Sequence, residues 1–195
     1  MTLSVVSTLY KSRGFLDQFL KEVLIAIKEI NIEQFELIFV NDGSPDDSLS
    51  FLLDKKKEIP QIVIIDLSRN FGHHYAMQAG LKHSKGDYIY LIDNDLETPP
   101  EFLIRCFYEM QNNYEVDVVY GYQQERKGKF VENLGGRLFW WGLNKFSDIK
   151  VPKNILTERL MKRSYVNSLL ELGETKLLLG GMMHWTDYNQ KGFPF

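Results

Sequence analysis

The sequence predicts an α/β fold in which a mostly parallel, Rossmann-like sheet is covered by helices on both faces. Through residue 122, short runs of apolar and often β-branched residues alternate with longer segments whose apolar residues follow helical spacing. The strand-like runs are apolar almost throughout, which is typical of strands buried on both faces. Strands and helices that alternate along the chain in this way form parallel sheets.

Five strands and four helices are predicted for this part of the chain. The first strand runs from Leu3 to Thr8, and the first helix carries its apolar residues between Phe15 and Ile30. Ser44 or Asp46 can cap the second helix. A Pro-Pro pair starts the fourth helix, where a missing N–H costs nothing. The remaining strands are predicted at Phe35–Val40, Ile62–Asp66, Asp87–Asp93 and Val116–Tyr122, and the remaining helices at Ser48–Lys57, His74–His83 and Pro99–Asn113.

The pattern changes beyond residue 122. Residues 123–152 are basic, glycine-containing and aromatic, and they predict a loop followed by a helix with its apolar side between Leu138 and Phe146. This side can pack on the sheet, but tryptophan and basic residues also favour a peripheral membrane contact. Thr157 to Gly173 are predicted to form another helix. We therefore expect an α/β core at 1–122 and a helical and loop segment of the same domain at 123–195.

Composition excludes several classes of protein. With 23 basic and 26 acidic residues the net charge is −3, and without a long basic run nucleic acid is not an expected partner. The single cysteine, Cys106, lies in an apolar helical pattern and is predicted to be a core residue, which fits a reducing cytoplasm. No apolar run approaches the ~18 residues of a membrane span, so a cytoplasmic protein is expected. The sequence does not predict an oligomeric state.

Polar residues cluster where the predicted strands end. Right-handed crossovers bring the carboxyl ends of parallel strands to one edge of the sheet, where ligands bind in such folds. Tyr10 and Lys11 follow the first strand, Asp42 the second, residues 66–70 the third and residues 93–97 the fourth. We therefore expect the functional site at this edge.

The string "YLIDNDLETPPE" places three acids directly after the fourth strand. Asp93 and Asp95 are two residues apart and share a face in extended backbone. Adjacent carboxylates repel unless a cation lies between them, and Mg²⁺ or Mn²⁺ prefers oxygen ligands of this kind. Glu97 is a candidate third ligand. The alternative is an acidic turn that only caps the next helix.

Two further loops carry candidate ligand-binding residues. Asp42 can accept hydrogen bonds from a nucleobase or ribose, or can belong to a simple β-turn. In "SRNFGHH", Arg69 can bind phosphate in bidentate fashion, while Asn70 and Gly72 lie where a backbone can approach a ligand. The adjacent residues 73 and 74 do not share a helix face, so we expect one histidine to line the cleft and the other to be solvated.

The strings "VNDGSPDDS" and "NFGHHYAMQAGLKHSKGDYIYLIDNDLETPPE", with their spacing, resemble family-2 glycosyltransferases of the GT-A fold. The resemblance covers about residues 3–170 and is strongest to dolichyl-phosphate mannose synthase and bacterial polyprenyl-phosphate glycosyltransferases. It implies that residues 1–122 bind a nucleoside-diphosphate sugar and that residues 123–195 face the acceptor. It also implies a divalent metal, Mg²⁺ or Mn²⁺.

The resemblance assigns individual residues to the donor. The first family motif, P-x-Y-N-E, corresponds to "TLYKS", where Tyr10 matches while Thr8, Lys11 and Ser12 depart from it. Thr8 and Tyr10 are assigned to the donor nucleotide, and so is Asp42. The D-x-D motif falls on Asp93, Asn94 and Asp95, and Glu97 occupies a position where this branch often has glutamine.

The resemblance also assigns residues to the diphosphate and to the acceptor. Arg126 and Arg137 correspond to the basic residues that hold the diphosphate, and Arg159 lies in "ERLMKR", which resembles an acceptor-side motif. Catalysis is assigned to Asp95 and Arg159, with Glu158 as the base if the acceptor is a sugar hydroxyl. A lipid phosphate acceptor is already ionised and needs little help from a base.

The implied reaction is sugar transfer from a nucleoside diphosphate to polyprenyl phosphate or to a growing cell-surface glycan, at the inner face of the cell membrane. Two alternatives stay open. A sugar nucleotidyltransferase normally has a glycine-rich, basic loop near its start, whereas "STLYKSRGF" has one glycine. A catalytically silent relative that acts through protein contacts is favoured by the altered first motif and opposed by the intact D-N-D. Residues alone do not predict the sugar, the base or the anomeric outcome.

Overall fold

A seven-stranded sheet organises the chain, as a computed structural model shows for residues 1–122, 155–172, 183, 186 and 188–194. In the order of the sheet the strands are β3-β2-β1-β4-β6-β5-β7, so β1 and β4 lie near the centre. The strands are β1 Thr2–Leu9, β2 Gln34–Asn41, β3 Ile62–Asp66, β4 Tyr88–Leu91, β5 Val118–Tyr122, β6 Ile155–Lys162 and β7 Gln190–Pro194. The helices are α1 Arg13–Glu29, α2 Ser48–Glu58, α3 His73–His83, α4 Phe102–Asn112 and α5 Arg163–Glu171.

Most neighbouring strands are parallel, as the sequence predicts. β1 pairs in parallel with β2 and β4, β2 pairs in parallel with β3, and β5 pairs in parallel with β7. β6 is antiparallel to both of its neighbours, β4 and β5. The five strands that the sequence predicts, β1 to β5, thus run in the same direction, whereas β6 begins at the edge where they end.

Helices cover both faces of the sheet. One core cluster joins residues of α1, α2 and α4 to the inward residues Leu3, Val5 and Leu37, and the other joins α3 and α5 to Val6 and Ile38. Successive residues of β1 and β2 thus contribute to opposite cores, which explains their nearly continuous apolar runs. The predicted α/β class, with a mostly parallel sheet between helical layers, is confirmed.

The predicted helix at Thr157–Gly173 is wrong in its first half. Residues 155–162 form β6, which is paired on both sides, so hydrogen bonds to β4 and β5 outweigh the helical spacing of its apolar residues. α5 begins at Arg163, whose guanidinium donates to the carbonyl of Gly86 from Nε at 2.9 Å and Nη2 at 2.7 Å. This contact ties the start of α5 to the turn before β4.

Two smaller predictions can also be compared with the structure. Cys106 is fully buried in the first core, where burial raises the pKa of its thiol, so its prediction as a core residue is confirmed. The amphipathic segment between Leu138 and Phe146 lies outside the described residues. The boundary between 1–122 and 123–195 stays a prediction, although β6 and β7 pair within the same sheet as the first five strands.

Candidate active site

The candidate site lies where β1, β2, β3 and β4 end and β6 begins. Two adjoining pockets open at this edge, and Asp93 and Asp95 line both of them. The two carboxylates come from the turn after β4, the central strand of this edge. The predicted convergence of the loops that follow β1 and β4 is therefore present in the structure.

The first pocket, of about 190 Å³, is acidic and is called the carboxylate pocket below. Its acidic lining consists of Asp93, Asp95, Glu97 and Glu158, and Thr98 lies beside them. Glu158 enters from β6, because that strand runs against β4 and brings its first residues to this edge. Four carboxylates thus face about 190 Å³ of space, which is unfavourable for all of them to be ionised at once without a cation.

Two of the four carboxylates bear strongly perturbed pKa values. Burial, and then the charges of Asp95 and Glu97, raise the pKa of Asp93 to about 6. Burial also raises the pKa of Glu158 to about 7, with Asp93 and Asp95 adding to the rise and a hydrogen bond from Thr98 opposing it. The pocket therefore holds protons near neutral pH that isolated carboxyl groups would release.

The turn that carries the acids has a strained backbone. Leu96 has a φ of +63°, which is uncommon for a side chain branched beyond Cβ and costs about 1–2 kcal/mol. Asp95 Oδ1 accepts a hydrogen bond of 2.9 Å from the backbone N–H of Glu97, which closes the turn over this residue. Strain of this kind occurs at sites where the orientation of side chains matters.

Asn94 anchors this turn to β1. Its side chain is 5% exposed, and its Nδ2 donates to the carbonyl of Thr8 at 2.6 Å and to Ser7 Oγ at 3.1 Å. The middle residue of the D-N-D motif thus holds the two aspartates against β1. Its assignment to the substrate stays a prediction.

The second pocket, of about 240 Å³, is called the donor-side pocket below. Besides the two aspartates and Asn94, it is lined by Thr8, Tyr10, Lys11, Ser12, Phe15 and His73. Two aromatic side chains border it with open ring surface, since Tyr10 is 50% exposed and Phe15 43%. A flat, partly apolar part of a ligand can therefore stack on these rings. A negatively charged part of the same ligand would then lie near the two aspartates and would need a cation between them.

His73 connects the two sides of this pocket. Its Nδ1 lies 3.0 Å from Thr8 Oγ1, and its Nε2 lies 3.5 Å from Asp93 Oδ1. Burial lowers the pKa of His73, although the charges of Asp42 and Asp95 oppose that shift. The prediction that one of the two histidines lines the cleft is confirmed, and that histidine is the first residue of α3.

Asp42 supports a neighbouring loop. Its side chain is 3% exposed, and its two oxygens accept hydrogen bonds from the backbone N–H groups of Phe71, at 2.7 Å, and Gly72, at 3.0 Å. Gly43 has a φ of +63°, and a Cβ added to it would lie 2.7 Å from the backbone nitrogen of Asn70. The turn after β2 is thus packed directly on the loop before α3. Whether Asp42 also binds a nucleoside stays a prediction.

The loop before α3 places the other predicted residues at the surface. Arg69 and Asn70 are exposed, and the Arg69 guanidinium stacks 4.6 Å above the ring of Phe71. Gly72, with a φ of +98°, is the residue before α3. None of these three predicted residues lines the carboxylate pocket or the donor-side pocket as the described residues define them.

Arg159 is buried on the opposite face of β6 from Glu158. It is 2% exposed, and its guanidinium donates to the carbonyls of Leu156 at 2.9 Å and Thr157 at 3.0 Å. Burial lowers its pKa, while nearby Tyr165 favours the charged form. The structure thus places this residue in the core beside α5, and its catalytic assignment stays a prediction. Arg126 and Arg137 lie outside the described residues.

Sequence reasoning missed Thr98 and left the role of His73 open. Thr98 is 3% exposed and hydrogen-bonds Glu158, a contact that depends on β6 lying next to β4. For His73 a signal existed, since it follows Gly72 directly and begins a helix at the ligand edge. Within the described part of the chain, no three His, Cys, Asp or Glu side chains converge closely enough to hold a metal ion between them.

The fold and the acidic turn at its ligand edge define a GT-A glycosyltransferase domain. The family model described as glycosyl transferase family 2 matches residues 4–170. The uncharacterized glycosyltransferase YkcC of Bacillus subtilis (strain 168) is 36% identical over 179 residues, which is 91% of this chain and 54% of YkcC. The chain belongs to glycosyltransferase family 2, and the predicted family is confirmed.

Other comparisons agree with the predicted branch and fold. The undecaprenyl-phosphate 4-deoxy-4-formamido-L-arabinose transferase of Edwardsiella ictaluri (strain 93-146) is 30% identical over 170 residues, 87% of this chain and 50% of that protein. The mannosyltransferase PcManGT from Pyrobaculum calidifontis, solved in complex with GDP-Man and Mn²⁺, has a TM-score of 0.66 at 15% identity. The alignment covers 98% of this chain and 54% of that one, and it confirms the GT-A fold.

This chain spans between 54% and 58% of the length of three curated relatives that it matches. Among the helices of its described residues, none combines the length and the apolar character that crossing a membrane requires.

Proposed function

We propose that this domain transfers a sugar from a nucleoside-diphosphate donor to polyprenyl phosphate, with the help of a divalent metal. The observation that carries the proposal is the position of Asp93 and Asp95 at the junction of the two pockets. A diphosphate bound there would lie between a pocket with open aromatic rings and a pocket with acid groups. The transferase from Edwardsiella ictaluri, whose name specifies undecaprenyl phosphate, supports the acceptor class.

The donor-side pocket is the proposed nucleotide site. Tyr10 and Phe15 offer ring surface to the base, and Thr8 offers a hydroxyl group. Lys11 lies in the same pocket and would balance part of the negative charge of a diphosphate. Arg126 and Arg137 are proposed to add further charge to the diphosphate, as the family resemblance implies.

The donor set of the carboxylate pocket fits Mg²⁺ or Mn²⁺. Its ligand atoms are carboxylate oxygens. The raised pKa values of Asp93 and Glu158 reflect first the burial of these groups and then the neighbouring negative charges, which a cation would offset. Mg²⁺ is usually held by one or two carboxylates together with substrate phosphates, so Asp93 and Asp95 suffice as protein ligands. Glu97 lies next to them and is the proposed third ligand. A bound metal ion would stabilise the charge of the departing nucleoside diphosphate.

Glu158 separates the two classes of acceptor. A lipid phosphate is ionised and attacks without a base, whereas a sugar hydroxyl must lose a proton. The pKa of Glu158, about 7, suits a general base near neutral pH, and this observation favours a glycan hydroxyl as the second candidate acceptor. Under the first candidate, Glu158→Gln retains transfer to polyprenyl phosphate. Under the second, the same substitution abolishes transfer to the glycan.

The acceptor also sets the proposed location. Polyprenyl phosphate resides in the membrane, while nucleotide sugars are soluble, so the reaction would take place at a membrane surface, which we assign to the inner face of the cell membrane. Peripheral contact through residues 138–146 is part of this proposal and follows from their two tryptophans and Lys145 alone.

The first experiment measures ligand binding. Thermal unfolding of the full chain is followed with UDP, GDP and their sugar conjugates, each with and without Mn²⁺, because a ligand that binds only the folded state must raise the Tm. We expect a metal-dependent rise for one base that Asp95→Ala removes. Asp54→Ala, on the exposed surface of α2, is the matched control and should keep it. Absence of a metal-dependent rise with every nucleotide would contradict the proposal and favour a silent relative.

The second experiment measures transfer. Release of nucleoside diphosphate from the donor identified in this way is compared with polyprenyl phosphate, with a glycan and with neither acceptor. Stimulation by polyprenyl phosphate alone supports the first candidate, and stimulation by the glycan alone supports the second.

A further inference from the structure

His73 touches both strands that frame the donor-side pocket. Its ring lies between Thr8, at the end of β1, and Asp93, which follows β4. If the ring carries its proton on Nε2, Thr8 Oγ1 donates to Nδ1, and the protonated Nε2 lies 3.5 Å from Asp93 Oδ1, close enough for an electrostatic contact. One tautomer therefore serves both contacts. If the imidazole served only as packing, polar neighbours next to both of its nitrogen atoms would not be required.

The backbone around His73 is held firmly in place. Both oxygens of Asp42 accept N–H groups of the loop that ends at Gly72, and Gly43 packs against Asn70 of the same loop. Gly72 turns the chain with a φ of +98°, and α3 starts at the next residue. The imidazole is thus presented from a helix end that is fixed to the turn after β2.

We infer that His73 is a positioning residue that orients the carboxylate of Asp93 for the metal and the donor diphosphate. This inference rests on the proposed function. Because the imidazole lies beside Oδ1, it would leave Oδ2 of Asp93 available to a ligand. Without this contact the carboxylate could rotate about its last side-chain bond, and repulsion from Asp95 would favour rotation away from the site. Groups that orient metal-binding carboxylates in this way typically contribute 10- to 100-fold to affinity.

The neighbouring histidine provides the contrast. His74 is exposed, its ring centre lies 6.0 Å from that of His73, and it lines neither pocket as the described residues define them. Both residues are exposed histidines in the first turn of α3, and they differ in the contacts of His73 with Thr8 and Asp93. Substitutions of His74 therefore serve as controls for the loss of an exposed imidazole from the first turn of α3.

Two substitutions of His73 separate its two contacts. A glutamine amide occupies nearly the position of Nε2, so His73→Gln keeps a donor for Asp93. An asparagine amide occupies nearly the position of Nδ1, so His73→Asn keeps the contact with Thr8 and loses the reach to Asp93. We expect His73→Asn to weaken Mn²⁺-dependent nucleotide binding 10- to 100-fold, and His73→Gln to weaken it less than about 3-fold.

Binding is measured by isothermal titration of the nucleoside diphosphate into the full chain at several Mn²⁺ concentrations. The control variants His74→Asn and His74→Gln should bind as the wild type does. Equal losses in His73→Asn and His73→Gln would overturn the inference, and so would an equal loss in His74→Asn.

A ligand-free measurement distinguishes failure of this inference from failure of the proposed function. The Tm of His73→Asn, Asp93→Ala and the double variant is compared with the wild type in EDTA, since changes at groups that do not interact are additive. We expect the sum of the single changes to differ from the double change by about 2 °C or more. Additive changes would overturn the inference even if nucleotides bind. If the changes in Tm are non-additive but the chain binds no nucleotide, the contact between His73 and Asp93 exists, and the inference that it orients Asp93 for a ligand is refuted.

Discussion

Glu158 offers a direct test of the electrostatics of the carboxylate pocket. The substitution Glu158→Gln keeps the size of the side chain and its capacity to bond Thr98, and it removes only the charge. The folded protein raises the pKa of Glu158 from 4.5 to about 7, a difference of about 2.5. Since a difference of one in pKa corresponds to about 1.4 kcal/mol, the ionised form costs about 3 kcal/mol. The side chain is 4% exposed, so solvent screens little of this energy.

The sign of the pH dependence follows from linkage. Below pH 4.5 the carboxyl group is protonated in both the folded and unfolded chains, so wild type and variant should be equally stable. Between pH 4.5 and about 7 the unfolded chain releases this proton while the folded chain still holds it, so the stability of the wild type relative to Glu158→Gln falls across this range and levels off above it. We therefore expect the variant to be more stable by about 3 kcal/mol at pH 8.5, and by nearly nothing at pH 4.5.

Urea unfolding at both pH values, in EDTA to remove metal ions, measures this difference. Glu29→Gln, on the exposed end of α1 at the opposite edge of the sheet, is the control and should show no pH-dependent gain. A variant that is less stable than the wild type at pH 8.5, or a gain that is the same at both pH values, would refute the electrostatic reasoning.

Three further predictions concern the framework of the site. Asp42→Asn removes one of two charge-assisted hydrogen bonds and should destabilise the fold by about 2 kcal/mol, with faster amide exchange at Phe71 and Gly72; unchanged exchange at both amides would contradict the bonding. Gly43→Ala should lower the free energy of unfolding by about 2–4 kcal/mol, because Gly43 has a positive φ and its added Cβ would lie 2.7 Å from the backbone nitrogen of Asn70. A change below about 1 kcal/mol in urea unfolding would contradict this packing. Gly80→Ala should cost about 1–3 kcal/mol in the same assay, since its Cβ would collide with Val6 on β1, and a neutral result would refute the close approach of α3 to the sheet.

The fold of the first 122 residues could be predicted because its signals are local. Each strand between β1 and β5 is an apolar run, and each helix shows its own apolar stripe, so no knowledge of neighbours is needed. β6 lacks this independence. Its residues Leu156, Leu160 and Met161 have spacing that also suits a helix, and only pairing with β4 and β5 decides for a strand. Such pairing joins residues about 70 positions apart, as between Leu91 and Arg159, and no local pattern reports it.

The same strand explains why the site was predicted only in part. Glu158 and Arg159 are adjacent in sequence and looked like similar candidates, but successive side chains of a strand point to opposite faces. Glu158 consequently enters the carboxylate pocket, while Arg159 enters the core beside Tyr165. The acids of the D-N-D turn were easier to predict, because they follow β4 directly and their position depends on one strand alone.

Stability and ligand binding should be linked through the same carboxylates. In the metal-free chain, the pKa values of Asp93 and Glu158 are raised toward neutral pH, and Leu96 adds backbone strain to the turn that carries Asp93. Each of these features destabilises the folded state. A bound cation would reverse the electrostatic part. Removing one charge should therefore stabilise the metal-free protein and at the same time reduce its stabilisation by Mn²⁺ and nucleotide. An acidic turn that only capped α4 would show neither the gain nor the loss, so the two measurements together separate a binding site from a structural turn.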